Sequence, residues 1–163
     1  MVNKKIYRTT VAAMIAALYV LLTYLADLFG LASAPVQLRF SEALTILPVF
    51  TSAAVPGLFA GCLLANLLTG AAFWDVVFGS LATLLGAIGT RWLRKTPYAA
   101  VLPPILANTL VVPPVLSVVY GLAESLPYLY ITVFLGEVLS CGVLGILLYR
   151  VLRRHGLPFP DFE

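Results

Sequence analysis

The sequence predicts an all-α integral membrane protein: one domain over residues 1–163, folded as a compact bundle of six transmembrane helices with both termini cytoplasmic. Three observations carry this. Hydrophobic residues make up 61% of the chain and charged residues 10%, against roughly 25% charged in a typical soluble domain, too few to cover a water-facing surface of this size. The charges are clustered, and the apolar runs between them are continuous, which suits spanning helices rather than the alternating strands of a membrane barrel. The bases stand at the ends of those runs, where membrane topology accounts for the net charge of +3 without any nucleic-acid partner.

Lys4, Lys5 and Arg8 precede the first run, residues 10–29, long enough to cross roughly 30 Å of hydrocarbon as a helix. The basic start and Ala32-Ser33-Ala34 have the look of a signal peptide. The run is longer than a signal core of about 7–15 residues, and retaining it gives the better topology. A loop over 30–40 follows, holding Pro35 and Arg39. The next uncharged stretch, after Glu42, extends to Ala72, with Pro48 and Pro56-Gly57 inside it. Charge placement decides whether it crosses once or twice. Crossing twice, as short helices over 41–54 and 56–72 broken near Val55-Pro56, puts every base but Arg39 on the cytoplasmic side. Crossing once leaves only Lys4, Lys5 and Arg8 there. The positive-inside rule favours two crossings.

The fourth helix covers 75–92 and ends on Arg91, Arg94 and Lys95. The fifth covers 98–120, where Pro103-Pro104 and Pro113-Pro114 should kink or break it, a feature tolerated at membrane depth where backbone lines a cavity or is buried in protein. The sixth covers 128–152, followed by a polar tail in which His155 reads as a solvated group. Cys62 and Cys141 lie within apolar runs and read as small packing residues, with no spacing that supports a disulfide or a metal site. No cofactor is implied. The chain holds no G-x-x-x-x-G-K-[ST] loop, so the energy for any transport comes from an ion gradient or from a partner.

The polar groups within the spans are the candidate site. Glu137 falls about ten residues into the sixth helix, roughly 15 Å deep, where a carboxylate is costly unless neutral, paired or wet. Asn108 is at similar depth, while Asn66, Trp74, Asp75, Arg39 and Glu42 stand toward the outer side. Together they suggest a cavity open to the outside. Each has a plainer role: Ser41-Glu42 and Asp75 as helix-start residues, Trp74 as an interfacial anchor, the two asparagines as bonds between helices. As a binding site, carboxylates and amides beside an aromatic plane suit a flat nitrogen-rich ring, with a second carboxylate to neutralise an amine; several cationic or amide-rich vitamins would fit too. On the first helix Ala12/Ala16 and Ala13/Ala17 have the small-residue spacing that lets helices approach closely in lipid, and Gly57/Gly61 repeat it on the third.

Three segments carry a resemblance: Gln37-Leu38-Arg39-Phe40-Ser41-Glu42-Ala43-Leu44-Thr45-Ile46-Leu47-Pro48, Ala54 through Asn66, and Trp74 through Leu84. The chain resembles the queuosine-precursor transporter (QueT) family of substrate-binding S components of energy-coupling factor (ECF) importers. The resemblance implies a non-catalytic, multi-pass subunit of the bacterial plasma membrane. It would capture a 7-deazaguanine precursor of queuosine from outside, beneath a lid formed by loop 30–40. A transmembrane coupling protein and two ABC ATPases would be its partners. An A-x-x-x-A face on the first helix docks the coupling protein in many S components; here Ala12/Ala16 and Ala13/Ala17 both match, so the register is open. Arg39, Glu42, Asn66, Trp74, Asp75, Asn108 and Glu137 are the candidate substrate residues. The main alternative is a stand-alone secondary carrier with Glu137 as proton relay, disfavoured by the lack of an internal repeat. A membrane enzyme is disfavoured by the absence of any H-E-x-x-H or nucleophile-elbow motif.

Overall fold

The computed structural model describes residues 4–30, 38–121 and 126–156. Most of the expected lid loop, residues 31–37, lies outside the described residues, as do Glu124 and the tail beyond 156. Six helices make up the described chain, with no strand among them: α1 (Lys4–Leu28), α2 (Phe40–Val49), α3 (Ala54–Leu68), α4 (Phe73–Trp92), α5 (Leu102–Tyr120) and α6 (Leu126–His155). Four of them, α1, α4, α5 and α6, are long and apolar enough to cross a membrane; α2 and α3 are shorter apolar helices.

The second helix departs most from expectation. It ends at Val49, the break falls at residues 50–53 rather than at Val55-Pro56, and it is wound as a 3-10 helix throughout. Local chemistry favours the tighter winding. Pro48 has no N–H to give to the carbonyl of Leu44, and Thr45 Oγ1 donates to the carbonyl of Glu42 at 2.6 Å. At about 2.0 Å per residue, this winding carries ten residues roughly 20 Å, farther than an α-helix of the same length. Pro56 instead sits in the first turn of α3, where no N–H is needed.

The prolines of the fifth helix do not break it. Pro103 and Pro104 lie in its first turn, and the helix continues through Pro113-Pro114 to Tyr120. Pro103 and Pro104 serve packing. A Cβ on Gly86 of α4 would lie 2.7 Å from Pro104 Cα, and one on Gly89 would lie 2.5 Å from Pro103 Cβ, so α4 and α5 touch where neither partner has a long side chain. α6 is continuous for 30 residues but widens to a π-helix over Val138–Leu144.

The bundle is polarised along its length. Arg8 of α1 donates to Ser52 Oγ, Arg91 at the end of α4 donates to the Pro48 carbonyl, and Arg150 of α6 stands over the Tyr98 ring. Every lysine and arginine but Arg39 therefore belongs to a helix end or link at this one end of the bundle. The apolar core is weighted toward the same end, through Leu47, Phe50, Leu58, Ala100, Val101 and Tyr149. The buried carboxylates Glu42 and Glu137, with Asn66 and Asn108, lie in the other half.

The two small-residue patterns prove to be the two sides of one contact. A Cβ on Gly57 would lie 2.7 Å from the Ala12 carbonyl oxygen, and one on Gly61 would lie 3.0 Å from Ala16 Cα and 2.7 Å from Tyr19 Cβ. Ala12 and Ala16 thus face α3 inside the bundle, whereas Ala13 and Ala17 are exposed.

Candidate functional site

The start of α2 is driven into the bundle rather than left at its mouth. Glu42 is 2% exposed, and no side chain caps the helix. Its carboxylate is held from two directions. Tyr19 of α1 donates its phenolic hydroxyl to Oε1, and Asn108 Nδ2 of α5 lies 3.5 Å from Oε2. One turn further along α1, Thr23 Oγ1 lies 2.9 Å from Ser41 Oγ, so the hydroxyl that reads in sequence as a helix cap is engaged by another helix. α1 and α2 are therefore joined by two buried side-chain hydrogen bonds, at Tyr19–Glu42 and Thr23–Ser41.

α6 supplies the opposing wall. Cys141 Sγ lies 3.1 Å from Glu137 Oε2 and 3.9 Å from Glu42 Oε2, placing a thiol between the two carboxylates. Thr45 Oγ1 is 3.3 Å from the same sulfur, and Ser140 Oγ accepts from the Arg39 backbone N–H at 3.2 Å. The widened turns of the π-helix begin immediately after Glu137 and include both Ser140 and Cys141. Such insertions re-aim side chains and recur at functional sites.

In front of this network lies a small cavity of about 20 Å3 lined by Arg39, Gly79, Asn108, Val112, Val133 and Glu137. It has room for about one water, whereas pockets for small organic ligands run to roughly 300–1,000 Å3. A bicyclic base would enter only with displacement of the surrounding helices. Arg39 lies within electrostatic reach of both Glu42 and Glu137. One guanidinium is thus shared by two buried carboxylates, and the second must be neutral or find a partner elsewhere, in a region where water cannot screen it.

A metal is the competing occupant. Glu42, Glu137 and Cys141 each offer a ligand atom, all within 4.8 Å of one another. Carboxylate and thiolate donors suit a borderline cation such as zinc. Arg39 lines the same cavity, however, and its charge, within electrostatic reach of both carboxylates, would oppose a dication there.

Of the residues singled out in the sequence, the structure brings Arg39, Asn108 and Glu137 to the cavity wall, with Glu42 directly behind them. Asn66 stands one layer away. Its Nδ2 donates to the Asp75 carbonyl at 3.4 Å and would lie 3.3 Å from a Cβ on Gly79. Asp75 contributes that backbone carbonyl from the first turn of α4, where its charge also suits the helix dipole. Trp74 is not brought to the cavity. It is 53% exposed, stacked on Phe78 at 5.8 Å and edge-on to Phe73 at 5.3 Å, as an outer aromatic ladder. Tyr19, Ser140 and Cys141 were missed. Cys141 follows Glu137 by four residues, and Tyr19 follows Ala12 by seven, so helical periodicity places each on a face already marked.

Comparison with known proteins decides the family. The family model described as QueT transporter matches residues 9–154. The chain belongs to the QueT transporter family. It is therefore a multi-pass protein of the bacterial plasma membrane. It is also similar to the queuosine precursor transporter QueT of Lactococcus lactis subsp. cremoris (strain MG1363), with 35% identity over 86 residues covering 52% of this chain and 50% of that relative. The matched stretch thus spans about half the length of the curated relative. No solved structure matches the chain.

Proposed function

We propose that this QueT-family chain is the substrate-capturing S component of an ECF-type importer, without catalytic activity of its own. It takes a 7-deazaguanine precursor of queuosine from the outer side and passes it across the membrane with a coupling protein and two ATPases. The observation that carries the substrate reading is the convergence of Glu137, Asn108 and Arg39 on one cavity backed by Glu42. A carboxylate can accept two parallel N–H bonds from a guanine-like edge, asparagine both donates and accepts, and a second carboxylate can neutralise an amine on the ligand. The name of the Lactococcus relative supports the same cargo.

In this reading loop 30–40 is the lid, Asn66 and Asp75 brace the wall through Gly79, and Trp74 stands at the membrane interface. The clustering of nine bases at one end supports cytoplasmic termini under the positive-inside rule. Ala13 and Ala17 are the outward alanines for a partner helix, because Ala12 and Ala16 are already covered by α3.

Titration of a 7-deazaguanine base into detergent-solubilised protein tests the site. Glu137→Gln and Glu42→Gln should each weaken binding by about 10–100-fold, the range for a hydrogen bond to a charged group. Wild-type affinity in both variants would remove the site from this cavity. The same buried carboxylate pair would suit a proton-coupled carrier. Uptake that persists in cells lacking any coupling protein or ATPase, and stops when the proton gradient is collapsed, would favour that carrier instead.

A further inference from the structure

α1 and α6 both pack on the short helix α2, and an apolar groove opens between them. One wall is Tyr7, Met14, Ala17, Leu18 and Leu21 of α1; the other is Leu148 and Leu152 of α6, with Leu44 and Leu47 of α2 as the floor. Its volume is about 780 Å3, and it exists because a ten-residue helix cannot fill the space between two full spans. From Tyr7 to Leu21 the α1 wall is roughly 21 Å long at the helical rise, somewhat more than the roughly 15 Å of one leaflet's hydrocarbon.

The ends of the groove differ. Toward Leu21 the lining is aliphatic. Toward Tyr7 both walls run into cationic or hydrogen-bonding groups. Lys4 precedes Tyr7 by three residues and Val11 by seven, on the groove face of α1; His155 follows Leu152 by three and Leu148 by seven, on the groove face of α6. Arg8 stands one turn along from Lys4, with one guanidinium nitrogen on Ser52 and further donors remaining. We propose that this groove is a binding site for an anionic phospholipid, with one acyl chain along Met14, Ala17, Leu18 and Leu21 and the phosphate between Lys4, Arg8 and His155. The lipid belongs to the leaflet at the basic end. A neutral lipid would fill the apolar length equally well, so the bases supply the selectivity, at roughly a fivefold gain in affinity for each lysine or arginine near a phosphate. A partner helix docking through Ala13 and Ala17 would have to displace this chain, so the groove holds lipid while the chain is apart from that partner.

Native mass spectrometry of the purified full chain, exchanged into micelles doped with phosphatidylglycerol or phosphatidylcholine, tests it. The wild type should retain one phosphatidylglycerol at least roughly tenfold more readily than phosphatidylcholine. K4Q/R8Q should bring the two lipids to parity, and Ala17→Trp, which fills the groove from an exposed position, should remove retention of both. Equal retention of the two lipids by the wild type would overturn the proposal. So would preferential phosphatidylglycerol retention that survives Ala17→Trp, or a groove occupied by a second copy of the chain, seen as a lipid-free dimer that Ala17→Trp dissociates.

Discussion

The two faces of α1 carry similar side chains and do different things. The inner face runs Ala12, Ile15, Ala16, Tyr19, Thr23 and Ala26; the outer face runs Ala13, Met14, Ala17, Leu18 and Leu21. Both hold a pair of alanines four residues apart. Only the inner pair meets glycines, and only the inner face carries hydroxyls at the depth of Glu42. In lipid there is no hydrophobic drive to bury an alkyl surface, so the packed face is selected by close backbone approach and by polar groups that need partners. Leucine and methionine are left for the bilayer. An alanine stripe therefore says that two helices can approach; the polar residues one and two turns along say which stripe faces inward.

The sharpest way to break this contrast is at Gly61. Gly61→Ala places a methyl 2.7 Å from Tyr19 Cβ and 3.0 Å from Ala16 Cα, neither of which is the free end of a flexible side chain. α1 has to move away from α3, and the expected loss of stability is about 1–3 kcal/mol, the usual range for overpacking. Reversible unfolding in mixed micelles reads it. A stability equal to wild type would mean that the α1–α3 contact is looser than the structure shows.

Tyr19→Phe is the next largest. It keeps the ring against Gly61 and removes only the hydroxyl that Glu42 Oε1 accepts. Polar contacts between membrane helices are worth about 0.6–1.7 kcal/mol, so stability should fall by roughly 1 kcal/mol in the same micelle assay. A loss as large as that of Gly61→Ala would show the hydroxyl to matter as much as the packing, and would shift the description of the inner face from steric to polar.

How much of this could be read from the sequence follows the same division. The six helices, the grouping of the bases and the burial of Glu137 rest on composition, spacing and helical rise, and these are properties of a single segment. Glu42 was harder. Ser41-Glu42 at the start of an apolar run has the form of a helix start, and only the arrival of Tyr19, Thr23 and Asn108 from other helices turns it into the centre of a network. Cys141 was hidden for the same reason: a cysteine in an apolar run packs like a small hydrophobe until two carboxylates come within reach. The 3-10 winding of α2 left only Pro48 and Thr45 as local signs. Trp74 was ambiguous in the other direction, since an aromatic beside an acidic residue suits a ligand wall and a membrane interface equally. What one helix does alone was legible; what a side chain does on meeting another helix was not.

Ala17→Val is the smallest expected effect and the strictest test of the contrast, because it adds the same kind of bulk as Gly61→Ala to the opposite side of the same helix. Ala17 lines an open groove and is exposed, so the added methyls meet lipid rather than backbone. β-Branching costs a helix only a few tenths of a kcal/mol, and the net change in stability should stay within about 0.5 kcal/mol. Ala16→Val, one residue earlier, presses instead on the Gly61 contact and belongs with the costly group. If the two valines destabilised equally, the outer face would be packed as tightly as the inner one, and the groove would have to be occupied by protein rather than by lipid.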